Sequence, residues 1–131
     1  MDSNSLLLKI MSVHEFHESF LIGNGSEPKL VEEKDYMLRH RLMKEENDEY
    51  LEACQKGDLT EIADALGDQM YILFGTILKH GLQHKIGDIF DEIHRSNMSK
   101  LDENGKPIFR EDGKVLKSNL YFRPDIAKLL K

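Results

Sequence analysis

The sequence has one cysteine, no tryptophan and only three prolines in 131 residues. The single cysteine, Cys54, excludes an internal disulfide and fits a reducing compartment, so a cytoplasmic protein is expected. Its place between Ala53 and Gln55 in a helical stretch predicts a buried structural thiol rather than a nucleophile. Long apolar runs are missing as well, none approaching the roughly 20 residues that span a bilayer. No basic segment or cleavage signature goes with the short patch Leu6-Leu7-Leu8, so neither a membrane nor a secretory signal is expected. Positive charge is in deficit: 18 basic residues face 24 acidic ones, for a net charge of −6. Such a chain gains nothing from general attraction to nucleic acid, which is set aside as a partner. A polyanionic ligand such as a nucleotide would need local basic groups or metal ions to reverse the sign. The remainder, 40 % hydrophobic and 32 % charged, suits one soluble domain over residues 1–131.

The most informative stretch is 38–73, which reads as two consecutive helices with acids on faces that should be apolar. Leu38, Leu42, Glu46, Glu49 and Ala53 recur at helical spacing, so Glu46 and Glu49 share a stripe with leucines. Glu61, Asp64 and Asp68 interrupt a run otherwise made of Leu, Ile, Ala, Met, Tyr and Phe. A carboxylate there costs several kcal/mol unless compensated. Gly57 is a natural helix end and Asp58 a natural cap, with Glu61 at the capping-box position, so the helices should be antiparallel neighbours. Two acidic stripes facing each other repel unless a cation lies between them. Hard divalent cations such as magnesium take oxygen ligands of this kind. The competing explanation is a set of salt bridges to Arg39, Arg41 and Lys44, and the bland one is a solvated acidic face.

Around this pair the signals are weaker. Ser12 with Glu15 reads as a capping box opening a short helix over Val13 to Phe20, with Phe16 and Phe20 on its apolar side. His14 and His17 fall on the polar side, where solvation is the default and a shared metal the sharper alternative. Leu21 to Pro28 is loop by composition. The long helix is expected from Leu30 to Lys56, the next from Asp58 to near Gly81, and a third over Ile86 to Arg95. Asn97 and Lys100 then fall in a loop after that helix. Glu111-Asp112-Gly113 between Ile108-Phe109-Arg110 and Lys114-Val115-Leu116 predicts a β-hairpin. A last helical turn is expected from Asp125 to Leu130.

Glu45-Glu46-x-x-Glu49, eleven residues, then Glu61-x-x-Asp64 resembles the EExxE…ExxD signature of the all-α nucleoside triphosphate pyrophosphohydrolases, the superfamily of the MazG proteins, the dimeric dUTPases and phosphoribosyl-ATP pyrophosphohydrolase. The ELGD form of the second motif has Glu where this chain has Ala65, so alignments ending at Asp64 and at Asp68 compete, with Asp64 or Glu61 replacing the missing ligand. Val13 to Phe20, Leu38-Arg39, Ile93-His94-Arg95-Ser96-Asn97-Met98-Ser99-Lys100 and the tail from Gly105 to Lys117 resemble the phosphoribosyl-ATP pyrophosphohydrolase-like, MazG-like subgroup, so the similarity covers most of the chain.

The resemblance implies an all-α bundle whose four-helix core is completed by a homodimer or homotetramer, with a small C-terminal hairpin-like extension. It implies magnesium-dependent hydrolysis, manganese being the substitute, of a nucleoside triphosphate to monophosphate and pyrophosphate. Metal ligands would come from Glu46, Glu49, Glu61, Asp64 and Asp68, and Glu45 or Glu49 would accept the proton of the attacking water. Asn97 and Lys100 would hold phosphate oxygens, Arg110, Lys114 and Lys117 being weaker candidates. Phe16 and Phe20 would stack on the base or simply pack, and Tyr71 and Phe74 belong to core or interface. Three rivals stand beside this reading. A di-iron carboxylate bundle lacks its paired Glu-x-x-His motifs, Asp91-x-x-His94 being single. A calcium loop at Asp102–Gly105 lacks the final Glu. A non-catalytic nucleotide- or partner-binding module would follow from Ala65 having removed activity.

Overall fold

The computed structural model describes residues 3–131, with side chains from residue 5 onward. The chain divides into two compact units, one ending at His84 and one running from Lys85 to Lys131. It is mostly helical, with one small antiparallel sheet, as the all-α reading expects.

In the first unit, α1 (Ser3–Ser19) and α2 (Glu33–Lys56) both pack on α3 (Leu59–Lys79). Helix α1 starts nine residues before the predicted cap. Ser12 is therefore not an N-cap: it sits mid-helix and its hydroxyl donates to the Leu8 carbonyl one turn back (3.3 Å). The buried side of α1 is Ile10, Val13 and His17, while Phe16 and Phe20 point outward. Ile10 and Leu78 are fully enclosed, each worth about 1.5–3 kcal/mol of apolar burial. Between α2 and α3 the two-residue link behaves as expected. Gly57 adopts φ 67°, Asp58 N–H closes back on the Ala53 carbonyl (3.1 Å), and the Asp58 carboxylate accepts from Glu61 N–H (3.1 Å). That link folds α3 back along α2, and the pairs Arg39–Thr76 and Asn47–Gln69 fix the antiparallel register.

The segment between α1 and α2 is latched to the end of α3. Gly25 N–H donates to Leu78 O (2.8 Å), Lys29 N–H to His80 O (2.9 Å), and the Gln83 amide to Gly25 O (3.0 Å). The latch needs Gly81, whose φ is +67° and whose Cα faces the Glu27 carbonyl so closely that a Cβ would lie 2.0 Å from its oxygen.

In the second unit, α4 (Ile86–Met98) buries Ile89 and Ser96. It runs a turn beyond the predicted end at Arg95, so Asn97 is helical rather than in a loop. The extra turn is held because Ser96 Oγ donates to Phe122 O (2.8 Å). Strands β1 (Ile108–Phe109) and β2 (Val115–Leu116) pair antiparallel, Ile108 opposite Leu116 and Phe109 opposite Val115. Gly113 (φ 87°) closes the turn between them. The tail returns to α4 through hydroxyl bonds: Phe122 N–H donates to Ser99 Oγ (3.1 Å) and Ser118 Oγ donates to Leu101 O (2.7 Å). Arg95 covers the Phe122 ring at 4.3 Å. The short α5 (Ile126–Leu129) is capped by Asp125.

Candidate active site

Beside the Asn47–Gln69 bridge, Glu46 and Glu49 on α2 meet Asp68 on α3. Each offers a carboxylate oxygen within 4.8 Å of the others. The stripe that carries Glu46 inward is Arg39, Glu46 and Ala53, a seven-residue repeat that leaves Leu38 and Glu49 exposed instead of buried. Cys54, one step past Ala53, is turned to the surface, which corrects the expectation of a buried thiol.

The electrostatics of this cluster are unfavourable as it stands. Burial, proton sharing with Glu49, and then the charges of Glu49, Asp68 and Asp64 push the Glu46 carboxyl up to about 7. Asp68 is raised too, by burial and then by Asp64 and Glu49. The neighbouring bases do not relieve it. Lys44 pairs with Asp48 (2.8 Å) and Lys56 with Glu61 (3.9 Å). Arg39 is buried and spends its guanidinium on the Ile72 carbonyl (2.8 Å) and the Thr76 hydroxyl (3.0 Å). The salt-bridge explanation therefore fails for Glu46, Glu49 and Asp68 among the described residues. In addition, Glu46 Oε2 is buried without a hydrogen-bond partner. An all-oxygen donor set with an orphaned buried carboxylate oxygen fits a hard divalent cation such as magnesium or manganese.

Of the other predicted ligands, Glu61 and Asp64 line an adjoining cleft of about 250 Å³ with Glu49, Glu52, Lys56 and Ala65. Asp64 acts on the cluster through its charge. Glu45 is exposed and outside the cluster. Phe16 stacks on Phe20 (4.5 Å) and edge-on to Tyr71 (5.6 Å), the two phenylalanines being 39 % and 65 % exposed. In the second unit, Asn97 and Lys100 line a cleft between the end of α4 and the hairpin. Arg110 is paired with Asp112, Lys117 covers the Tyr121 ring, and Lys114 is exposed.

The residue that sequence reasoning placed worst is His17. It is 2 % exposed, not on a solvated polar face, and its Nδ1–H donates to Asn24 Oδ1 (2.6 Å). Gly75 leaves the room: a Cβ there would lie 2.5 Å from Arg39 Nη2 and 2.9 Å from His17 Nε2. Only the absence of a side chain at 75 lets an imidazole and a guanidinium share this space, a signal that no local periodicity carries. Burial lowers the His17 pKa below 6.5, assisted by Arg39, Lys79 and His14 and opposed by the Asn24 bond. The unfolded chain then takes up the proton more readily, so stability from this group is complete above pH 6.5 and is lost as pH falls below it. The expected result in a proton NMR titration is a His17 ring midpoint below 6.5. A midpoint at or above that value would mean a hydrated ring.

A sequence model of the phosphoribosyl-ATP pyrophosphohydrolase family matches residues 13–97, which include all of α2 and α3 and nearly all of α4. No curated protein matches the chain. The matched segment spans more than half of the sequence and contains the whole acidic cluster, so the chain belongs to the phosphoribosyl-ATP pyrophosphohydrolase family, hydrolases that act on acid anhydrides.

Proposed function

We propose that this chain hydrolyses a ribo- or deoxynucleoside triphosphate to the monophosphate and pyrophosphate at the Glu46–Glu49–Asp68 cluster, with magnesium as its metal. The observation that supports this most is three converging carboxylates that no cation among the described residues neutralises, with a buried unpartnered oxygen on Glu46. Glu46, Glu49 and Asp68 would hold the ion, with Asp64 and Glu61 at its margin. When bound, magnesium supplies phosphate-charge neutralisation and a more acidic water. Glu49 is the better proton acceptor, because it is exposed and borders both the cluster and the adjoining acidic cleft, whereas Glu45 lies outside both. The cellular role in this reading is removal of surplus or unwanted nucleotides.

The active form in this reading is a homodimer or homotetramer. Leu38, Leu66, Met70 and Leu73 leave apolar surface on α2 and α3 that a second copy would cover. Phe16, Phe20 and Tyr71 are given to the same contact, since the rings already stack on one another within one chain.

The test is pyrophosphate release from a panel of ribo- and deoxynucleoside triphosphates, with magnesium and with a chelator. Release from at least one triphosphate, stopped by the chelator, is expected. Absence of turnover on every member would overturn the substrate class, and turnover unaffected by chelation would overturn the metal.

A further inference from the structure

Helices α2 and α3 carry like charges against each other, so something other than charge attraction must hold them together at that level. Glu46, Glu49 and Asp68 offer oxygens within 4.8 Å of one another, and charges of one sign so close favour separation of the helices that bear them. Among the described residues, three side-chain ties cross from α2 to α3. Lys56 meets Glu61 (3.9 Å) beside the Gly57–Asp58 link, with both side chains more than half exposed. Toward the other end, Arg39 grips the Ile72 carbonyl and the Thr76 hydroxyl. At about 1.5 Å per residue, the Arg39 position is about 10 Å from Glu46 along α2, and Gly57 is about 16 Å from it in the opposite direction. Neither tie reaches the acids.

The third tie does. Gln69 Nε2 donates to Asn47 Oδ1 (2.9 Å), and each partner directly follows a cluster acid in the sequence, Asn47 after Glu46 and Gln69 after Asp68. Met43 and Leu73 line the same groove as this amide pair, and Gln69 is half-buried, so the bond is partly shielded from water. The chemistry of the tie matters as much as its place. A lysine or arginine at either position would neutralise the carboxylates and compete with a divalent cation for them. An amide pair is uncharged, and it opposes the repulsion without weakening the negative potential that attracts an ion. Asn47 is the one uncharged residue in the run Glu45-Glu46-Asn47-Asp48-Glu49, and it is the one hydrogen-bonded to α3. Ligands held near their bound geometry before an ion arrives bind it more tightly, because the ion spends less of its affinity on assembling them.

We propose that Asn47 and Gln69 are positioning residues for the metal site: their amide-to-amide hydrogen bond keeps α2 and α3 at the spacing where Glu46, Glu49 and Asp68 converge on one divalent ion. The inference rests on the metal in the hydrolase reading above. It adds two residues that act on the ion only through the acids beside them.

The test measures manganese binding to the whole chain without nucleotide, from the electron paramagnetic resonance signal of the free ion, together with thermal melts in chelator. Asn47→Ala and Gln69→Ala should each weaken binding about fivefold, the worth of one hydrogen bond. The double variant should bind no more weakly than either single one, because both remove the same bond. Exchanging the two residues, Asn47→Gln with Gln69→Asn, rebuilds a tie of equal length and should restore wild-type affinity. In every variant the melting temperature in chelator should move by less than about 4 °C, since loss of the bond also lets the acids separate. Unchanged manganese affinity in both single variants, losses that multiply in the double variant, or an exchanged pair as weak as the double alanine variant would each overturn the proposal. So would melting temperatures that fall in step with affinity, which would reduce the pair to a contact of the fold. Wild type that binds no manganese would remove the metal reading and this inference together, whereas wild-type binding left intact by the alanine variants would remove this inference alone.

Discussion

Glu46→Gln and Asp68→Asn are expected to lower magnesium-dependent turnover about a hundred- to a thousandfold while leaving the metal-free protein as stable as before or more so. The reduction follows from removing an oxygen ligand at the point where phosphate charge must be neutralised, a loss of the size seen when one strong electrostatic contact is deleted from an active site. The stability effect has the opposite sign for the same reason. Without metal, Glu46 and Asp68 are carboxylates held among carboxylates, and their raised pKa values state that the folded chain disfavours their charge. For Glu46 the folded state binds its proton up to about pH 7, against 4.5 ordinarily, so the metal-free fold loses stability as pH rises through that window. An amide of the same shape removes the repulsion. Thermal melts in chelator should therefore show the variants melting no lower than wild type, and added magnesium should raise the melting temperature of wild type alone. Magnesium affinity of wild type should also fall below pH 7, where the ion must displace a proton from Glu46. Retained turnover in both variants would remove the cluster from the chemistry. Lost turnover with a collapsed melt would mean the acids hold the fold.

Gly81→Ala should destabilise the first unit by about 3 kcal/mol or more, the largest single-residue stability effect expected in the chain. Two costs add. At φ +67° an alanine is strained by about 1 kcal/mol, and its Cβ would lie 2.0 Å from the Glu27 carbonyl oxygen. The obstacle is main chain, and the segment that carries it is tied on both sides, at Gly25 to Leu78 and at Lys29 to His80. Relief requires breaking at least one of those bonds. Gly57→Ala separates the terms, because Gly57 has the same φ of +67° but open space where the Cβ would go. It should cost only about 1 kcal/mol. Denaturant unfolding of the two variants gives the comparison directly, and equal losses would show that the latch yields freely.

The parts legible in the sequence were those set by neighbours in the chain. Gly57-Asp58 announced the turn between α2 and α3, Asp112-Gly113 the hairpin, and the recurrence of Glu46 and Glu49 at helical spacing their turn toward Asp68. The errors share a different origin. Ser12 carries a cap's chemistry, but its hydroxyl is equally served by a carbonyl one turn back, and burial of Ile10 and Val13 extends the helix past it. His17 looked solvated because its partner Asn24 comes from a loop, and the space for it depends on Gly75 of another helix. Arg39 was counted as a partner for acids, whereas backbone and hydroxyl oxygens of α3 take it. Cys54 was expected inside from its helical place between Ala53 and Gln55, but only Ala53 faces inward and the thiol one step on is exposed. For His17 and Arg39, polar contacts from other elements decided where the residue faces.

The serine hydroxyls that bind the tail to α4 have a consequence for how the molecule comes apart. Among the described residues of the second unit, Ile89 is the one buried apolar side chain, so directional bonds through Ser96, Ser99 and Ser118 carry much of its cohesion. Such a region opens by breaking a few hydrogen bonds to water, with little heat-capacity change, because little apolar surface is uncovered. Its local opening is then set by directional bonds more than by a hydrophobic core.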